Sequence, residues 1–185
     1  WEDALLDAHG GFKVLLAGSG LIEYSRLTPE VREQLQGLIA EVAPRYDRIL
    51  LDTGAGISDV VLYAVSLADE VLIVATPEPT AMADAYATIK VLATQQQRSH
   101  LLLLVNQTRK TGEGRAVAQQ LQTVLDRFVT LPDGQHPKLR FLGDVALDNA
   151  VREAVQRRQL LLGTYPGAAA SLALLQIAAR LLDAS

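Results

Sequence analysis

The chain has 185 residues, of which 49% are hydrophobic, with no cysteine and a formal net charge of −4. This size and apolar content suit one full hydrophobic core, and the absence of cysteine excludes disulfides and thiolate zinc sites. The acidic balance disfavours broad binding to a phosphate backbone, which needs clustered Lys and Arg. No run reaches the roughly 18 apolar residues of a membrane span, and the first residues are acidic rather than a basic stretch followed by an apolar one, so we expect a cytoplasmic protein.

Short strand-like runs alternate with longer amphipathic segments along the chain. Continuous Leu, Ile and Val runs predict strands buried on both faces at 12–18, 48–54, 70–77, 100–108 and 141–148. Amphipathic segments predict helices at 28–43, 58–68, 79–97, 113–129, 149–158 and 166–183. The opening segment, 1–8, has the pattern of the end of a helix. Thr28 is a candidate cap, and Pro29 and Pro79 suit first helical turns.

This alternation predicts an α/β fold, a mostly parallel sheet with helices on both faces. We expect one domain over residues 1–185. Ligands of such sheets bind at the carboxyl ends of the strands, so the residues that follow each predicted strand are the candidates for function.

Asp52 ends the run "YDRILLDTGAGISD" (46–59). A carboxylate at a buried strand tip suits Mg²⁺, which takes one or two carboxylates and fills its remaining positions with water and phosphate oxygens. Gly54 and Gly56 allow a sharp turn that brings backbone N–H groups close to a phosphate. The alternative is an ordinary strand end, turn and helix cap at Ser58, and spacing alone gives the two interpretations about even weight.

Two further strand ends are polar. Thr76, Pro77 and Glu78 follow one predicted strand, and Asn106 follows the next. The Asn106 amide can donate and accept, as the edge of adenine requires, although asparagine also ends strands for turn reasons alone.

The segment "YDRILLDTGAGISDVVLYAVSLADEVLIVATPEPTAMADAYATIKVL" resembles the Walker B region of the deviant-Walker ATPases of the MinD/ParA group, P-loop NTPases of the SIMIBI class. Its "DTGAG" and "TPEPT" runs most resemble the FlhG (FleN) branch of flagellar-number regulators. The segments "EDALLDAHGGFKVLLAGSG", "FLGDVALDNAVREAV" and "YPGAAASLALLQIAARLL" fit the same order, so the resemblance covers nearly the whole chain.

The resemblance implies roles for individual residues. It implies that Asp52 is the catalytic Walker B aspartate that orients the Mg²⁺ hydration shell, and that Thr53 to Gly56, with Gly54, form the loop sensing the γ-phosphate. It implies that Asn106 reads adenine. It places Pro77, Glu78 and Asp148 near the base and ribose; the "GDVALD" loop departs from the family by having Ala146 in place of a proline.

One family feature is missing from the sequence. The motif G-x-x-x-x-G-K-[ST] is not found, and "RKTGEGRA" (109–116) is no substitute because it lacks that spacing. We therefore expect an N-terminally truncated form, the C-terminal portion of a MinD/FlhG-like ATPase domain. We expect the intact protein to use ATP or ADP with Mg²⁺, and these 185 residues neither to bind ATP tightly nor to hydrolyse it.

The resemblance implies an ATP-dependent regulator of flagellar number or placement that acts as a homodimer. Its implied partners are the GTPase FlhF, flagellar switch proteins or a flagellar transcription activator, which would recruit it to the cell pole or inner membrane face. The alternatives are a ParA-like partitioning or cargo-positioning ATPase that binds DNA, and a degenerate interaction domain without catalysis. We expect no autonomous membrane binding, because the leucines near the C-terminus suit docking on the protein core.

Overall fold

The computed structural model describes residues 5–16 and 27–183. The chain divides into two compact units, Trp1–Asp69 and Glu70–Ser185. The second unit contains the parallel sheet, and each unit is described by itself.

The first unit opens with an antiparallel hairpin. Strands β1 (Leu5–Ala8) and β2 (Phe12–Leu15) pair with Ala8 opposite Phe12. Gly10 and Gly11 both have positive φ, the conformation that lets the chain turn within three residues. The prediction of a helix end over 1–8 is therefore wrong for residues 5–8, and residues 1–4 lie outside the described part. The predicted strand at 12–18 is confirmed over 12–15, but it pairs antiparallel and is largely exposed; residues 17 and 18 are not described.

Two helices follow in this unit. Helix α1 (Pro29–Val42) leads into a short 3-10 helix (Ala43–Arg45), and α2 spans Asp59–Ser66. As predicted, Thr28 caps α1, accepting a hydrogen bond from the backbone N–H of Val31, and Pro29 occupies the first turn. The Tyr63 hydroxyl donates to the Arg32 carbonyl oxygen at 2.9 Å, and the Arg32 guanidinium lies over the Tyr63 ring, which joins α2 to α1.

The strand predicted at 48–54 is wrong. Residues 48–54 form neither helix nor strand, and Leu50 is 84% exposed. A strand exists only where its backbone groups pair with a neighbour, and the ladders among the described residues join β1 to β2 and the strands of the second unit. A strand-like composition without a pairing partner leaves this run as an open loop.

The second unit contains three strands and five helices. They are, in chain order, β3 (Leu72–Ala75), α3 (Pro79–Gln96), β4 (His100–Thr108), α4 (Glu113–Phe128), β5 (Lys138–Ala146), α5 (Asn149–Gln156), α6 (Leu161–Thr164) and α7 (Ala169–Leu182). The strands lie in the order β3-β4-β5, and both pairs are parallel. The predicted elements of this unit are confirmed, apart from small shifts at their ends and the short helix α6, which was not predicted.

The central strand β4 is buried on both faces. Leu102 and Leu104 pack in one cluster with Ala170 and Ile177 of α7. Leu103, which is fully buried, points to the opposite face, because successive side chains of a strand alternate. Helices α3 and α4 contact each other and the strands, and their buried residues cover that second face. The predicted parallel sheet with helices on both faces is thus confirmed. The prediction that the strands are buried on both faces is wrong for β3, because α7 packs mainly on β5 and leaves Leu72 and Val74 exposed.

No helix in the described ranges is long and apolar enough to cross a membrane.

Candidate functional site

The carboxyl ends of the three parallel strands lie at one edge of the sheet of the second unit. Ala75 is in register with Val105, and Val105 with Asp144, so the residues that follow these positions emerge side by side. Pro77 and Glu78 follow β3, Asn106 lies near the end of β4, and Asp148 follows β5. This register therefore places all four at the same edge. Of the residues predicted from the sequence to form the site, the sheet brings these four together.

The backbone at Asn106 is held in an unusual conformation. Gln107 has φ of +60°, in the left-handed region, and it is the extra residue where the pairing of β4 with β5 shifts between Asn106 and Thr108. Its N–H donates to the Asn106 Oδ1 at 2.9 Å. This bond fixes the Asn106 amide, and no other residue of 5–16 or 27–183 bonds to this side chain, so two Nδ2 donors and a second Oδ1 lone pair could meet a base edge. Such strained positions concentrate at ligand sites, which makes the geometry informative.

A buried contact anchors the residue after this bulge. The hydroxyl of Thr108, which is 2% exposed, donates to Asp144 Oδ2 at 2.9 Å, and the Thr108 carbonyl accepts from the Leu147 N–H. Gly114 of α4 lies against Asp144 so closely that a Cβ there would come within 2.5 Å of the Asp144 Cβ. Sequence reasoning missed this arrangement, because its members lie on three different elements.

Thr76, directly after β3, has a hydroxyl that is buried and has no hydrogen-bond partner among the described residues. An unpaired buried hydroxyl costs free energy unless a ligand or water pairs with it. Sequence reasoning noted the polar end of this strand but assigned Thr76 no role; its unpaired hydroxyl became visible only in the structure.

Glu78 is the residue that precedes α3, and its backbone is extended. Its exposed side chain makes no capping hydrogen bond to the helix, so the carboxylate remains available at the sheet edge. Pro79 occupies the first helical turn as predicted.

Asp148 uses both carboxylate oxygens inside the protein. Oδ1 accepts from the Ala150 N–H at 2.8 Å, which caps α5, and Oδ2 accepts from the Ala170 N–H at 3.1 Å, at the start of α7. The backbone N–H of Ala150, and then that of Ala170, hold the pKa of the Asp148 carboxyl below its ordinary range. The geometry therefore shows Asp148 joining two helices, a structural role that the sequence did not suggest.

Asp52, Thr53, Gly54 and Gly56 belong to the first unit. All four are exposed residues of the loop before α2, and Gly56 has φ of +100°, which favours glycine. Ser58 caps α2 by accepting from the Val61 N–H, as the alternative interpretation of this loop, an ordinary turn and helix cap, expects.

The polar groups at this edge are the Asn106 amide, the Thr76 hydroxyl and the Glu78 carboxylate, which together offer both hydrogen-bond donors and acceptors, as pairing with a purine base requires. The described residues contain no group of three or more His, Cys, Asp or Glu side chains that could hold a metal ion by themselves. A lone Asp52 carboxylate fits Mg²⁺ only as one ligand, or through water, with phosphate oxygens completing the shell.

Comparison with solved structures shows the class of the fold. The structure matches the MinD cell division protein of Aquifex aeolicus with a TM-score of 0.72 at 24% identity, over 100% of this chain and 70% of that chain. It matches a ParA family ATPase from Chlorobium tepidum with the same TM-score at 18% identity, over 97% of this chain and 67% of that one. The chain has the MinD/ParA type of P-loop NTPase fold.

Sequence comparison gives particular relatives. Antiactivator FleN of Pseudomonas aeruginosa is 33% identical over 177 residues, which cover 96% of this chain and 61% of that protein. Flagellum site-determining protein YlxH of Helicobacter pylori is 32% identical over 74% of this chain and 44% of that protein. Septum site-determining protein MinD of Bacillus subtilis is 31% identical over 83% of this chain and 53% of that protein.

The chain thus spans about three fifths or less of these curated relatives. No protein-family model matches it. The resemblance to the MinD/ParA group is confirmed, and the relatives of the chain include proteins named antiactivator FleN and flagellum site-determining protein YlxH.

Proposed function

We propose that the protein is a nucleotide-switched regulator of flagellar number or placement, in which ATP binding drives dimerisation and hydrolysis resets the dimer. The observation that carries the nucleotide part is the oriented Asn106 amide at the carboxyl end of β4, in a sheet of the MinD/ParA type. The flagellar part is supported by similarity to proteins named antiactivator FleN and flagellum site-determining protein YlxH.

In this proposal each part of the site has one task. Asn106 reads the adenine edge, with Thr76 supplying a further hydrogen bond, and Pro77 and Glu78 lie against the base and ribose. Asp148 supports this edge by fixing the starts of α5 and α7. A site built on strand ends and held by such contacts is positioned more exactly than one on a free loop.

For the loop of the first unit, taken by itself, we propose a role in binding Mg²⁺ and phosphate. Asp52 orients water around Mg²⁺, and the backbone of Thr53, Gly54 and Gly56 senses the γ-phosphate. Bound Mg²⁺ would neutralise charge that develops on the phosphate oxygens during transfer. Because the sequence contains no G-x-x-x-x-G-K-[ST] motif, we propose that these 185 residues alone bind ATP weakly and do not hydrolyse it.

The proposed partners are a second copy of the protein and flagellar proteins: the GTPase FlhF, switch-complex components or a transcription activator. A solved relative, the MinC:MinD cell division protein complex of Aquifex aeolicus, is similar in fold at 23% identity with a TM-score of 0.69. We propose by analogy that partner binding depends on the nucleotide state.

The test measures binding of ATP and GTP with Mg²⁺, and ATP turnover, for the 185-residue chain and for any longer product of its gene. Three variants are compared with the unmodified protein: Asp52→Ala, Asn106→Ala and the control Asp47→Ala, which removes an exposed aspartate from the same loop region. In the longer product, Asp52→Ala is expected to abolish turnover, Asn106→Ala to reduce the preference for ATP over GTP, and Asp47→Ala to change neither.

Micromolar ATP affinity of the 185-residue chain would refute the proposed weak binding. Turnover that survives Asp52→Ala would remove Asp52 from the reaction. If no form responds to ATP, the interaction-domain interpretation replaces this one, and steep salt-dependent retention on DNA would instead favour a partitioning role.

A further inference from the structure

A groove of about 270 Å³ in the second unit is lined by residues of β5, of α7 and of the start of α4. Arg115 and Arg180 contribute guanidinium groups, Phe141 and Ile177 contribute apolar surface, and Asp144 forms part of the wall. None of these residues belongs to the set that the sequence predicted to bind nucleotide.

A glycine holds the groove open. Gly143 has φ of +152° and lies where the pairing of β4 with β5 shifts. A Cβ at this position would lie 2.9 Å from the Ile177 side chain and 3.3 Å from Arg180 Nη1. The absence of a side chain lets Arg180 cross the strand and donate to the Leu142 carbonyl oxygen at 2.6 Å. Arg180 is therefore held in place, with donors to spare, because a guanidinium carries five N–H groups.

The second arginine is held by an aromatic ring. The Arg115 guanidinium lies 5.9 Å from the centre of the Phe141 ring, within the range of a cation–π contact. Arg115 and Arg180 thus approach one groove from two helices, each positioned by a contact that leaves N–H groups unused.

The charge of the groove is not neutralised from within. Neither Arg115 nor Arg180 forms an ion pair with any residue of 5–16 or 27–183. The nearby carboxylate, Asp144, has one oxygen bonded to the Thr108 hydroxyl. Two cations and one anion leave the groove positive on a chain whose net charge is −4, which favours an anionic partner at this position.

We propose that this groove binds an acidic segment of a partner protein, with a carboxylate held by Arg115 and Arg180 and a neighbouring apolar side chain against Phe141. Guanidinium forks match carboxylates in geometry, and the aromatic surface suits a peptide better than a bare ion. A nucleic acid fits less well, because Asp144 would face its phosphates and two arginines release few counterions. This inference stands independently of nucleotide binding.

The experiment follows amide shifts of the 185-residue chain by ¹H–¹⁵N NMR during titration with a blocked pentapeptide of alternating Glu and Leu. The matched peptide has Gln in place of every Glu, and inorganic phosphate is titrated separately. The acidic peptide is expected to shift the amides of Gly112, Gly143 and their neighbours, and the Gln peptide to shift them little.

Arg115→Gln is expected to weaken binding of the acidic peptide roughly tenfold, since one charge-assisted hydrogen-bonding partner is lost. The matched control is Arg127→Gln: Arg127 also lies on α4 and over an aromatic ring, that of Phe128 at 5.1 Å, but outside the groove. Arg127→Gln removes the same charge as Arg115→Gln and is expected to leave the affinity for the acidic peptide nearly unchanged.

Arg180→Lys is a second variant, because it keeps a donor for the Leu142 carbonyl while removing the planar fork. It is expected to weaken binding as well. The proposal is overturned if the acidic peptide shifts no groove amide at millimolar concentration, if both α4 variants weaken binding equally, or if phosphate produces the same shifts with equal affinity.

Discussion

Two runs of the chain have nearly the same composition, but one is a buried strand and the other is an exposed loop. Leu101–Val105 of β4 is buried on both faces of the sheet, and Leu103 is fully inaccessible. The run at 49–51 has the same aliphatic character and also precedes a polar residue, Asp52, yet it is an open loop with Leu50 84% exposed. The difference is the neighbours: β4 pairs with β3 and β5, whereas residues 48–54 pair with none of the described strands.

This contrast shows that a strand-like sequence allows a run to form a strand but does not ensure that it pairs with a neighbour. Backbone N–H and C=O groups of a strand are satisfied across the ladder, and its side chains become buried only when helices cover the sheet. Asn106, proposed to read the base, directly follows the paired run, and Asp52, proposed to orient water around Mg²⁺, directly follows the unpaired one.

The largest expected effect tests this contrast directly. Leu103→Ala is expected to lower the free energy of unfolding by about 2–5 kcal/mol, through lost burial and a cavity. Leu50→Ala, at an exposed site, is expected to change it by no more than about 0.5 kcal/mol. Urea denaturation of both variants measures the difference. A loss at Leu50 as large as that at Leu103 would mean that residues 48–54 pair and become buried in solution.

A pair of helical glycines gives the next largest effect. Gly114→Ala places a Cβ 2.5 Å from the Asp144 Cβ, and is expected to cost roughly 1–3 kcal/mol of unfolding free energy as the contact is forced apart. Gly37→Ala, in α1 with open space around it, is expected to gain up to about 1 kcal/mol from helix propensity. Thermal unfolding of the two variants compares them; a gain at both sites would show that Gly114 has room to spare.

The capping aspartate is expected to make stability depend on pH. The native pKa of Asp148 is lowered by backbone N–H donors, so its contribution is present above the unfolded pKa of about 3.9 and is lost as the pH falls through the native pKa. Asp148→Ala should therefore lower the unfolding midpoint at pH 7 by several degrees, and by less near pH 3. Asp47→Ala, in the exposed loop before α2, is the control; an equal deficit for Asp148→Ala at both pH values would contradict the capping role.

The smallest effect concerns the strained backbone beside Asn106. Gln107→Gly relieves a left-handed conformation that costs about 1–2 kcal/mol, but it adds glycine's entropy cost of roughly 0.5–1 kcal/mol, so a net gain of about 0.5 kcal/mol is expected. Gln97→Gly, at the left-handed end of α3, should gain similarly. Only Gln107→Gly is expected to broaden the Asn106 side-chain amide signals in NMR spectra. Unchanged signals would mean that the Gln107 conformation does not orient Asn106.

Much of the secondary structure of the second unit could be predicted from local sequence signals. The aliphatic runs of β3, β4 and β5 and Pro79 in the first turn of α3 are local signals of this unit, and in the first unit so are Thr28 as a helix cap and Pro29 in a first turn; the structure confirms these. The polar strand ends also followed from sequence, because parallel strands deliver their carboxyl ends to one edge. The resemblance to the MinD/ParA group depended on contiguous runs and was confirmed by comparison.

Features that depend on contacts between distant residues could not be predicted from the sequence and became visible in the tertiary structure. Residues 48–54 form a loop because no described strand pairs with them, and Asp148 is a cap shared by α5 and α7. The buried Thr76 hydroxyl has no hydrogen-bond partner among residues 5–16 and 27–183. Burial and hydrogen bonding depend on which residues are neighbours in space. The residue type at one position does not reveal which elements will surround it. The groove of Arg115 and Arg180 has the same origin: two helices and a glycine in β5 bring together residues that are 65 positions apart in the chain.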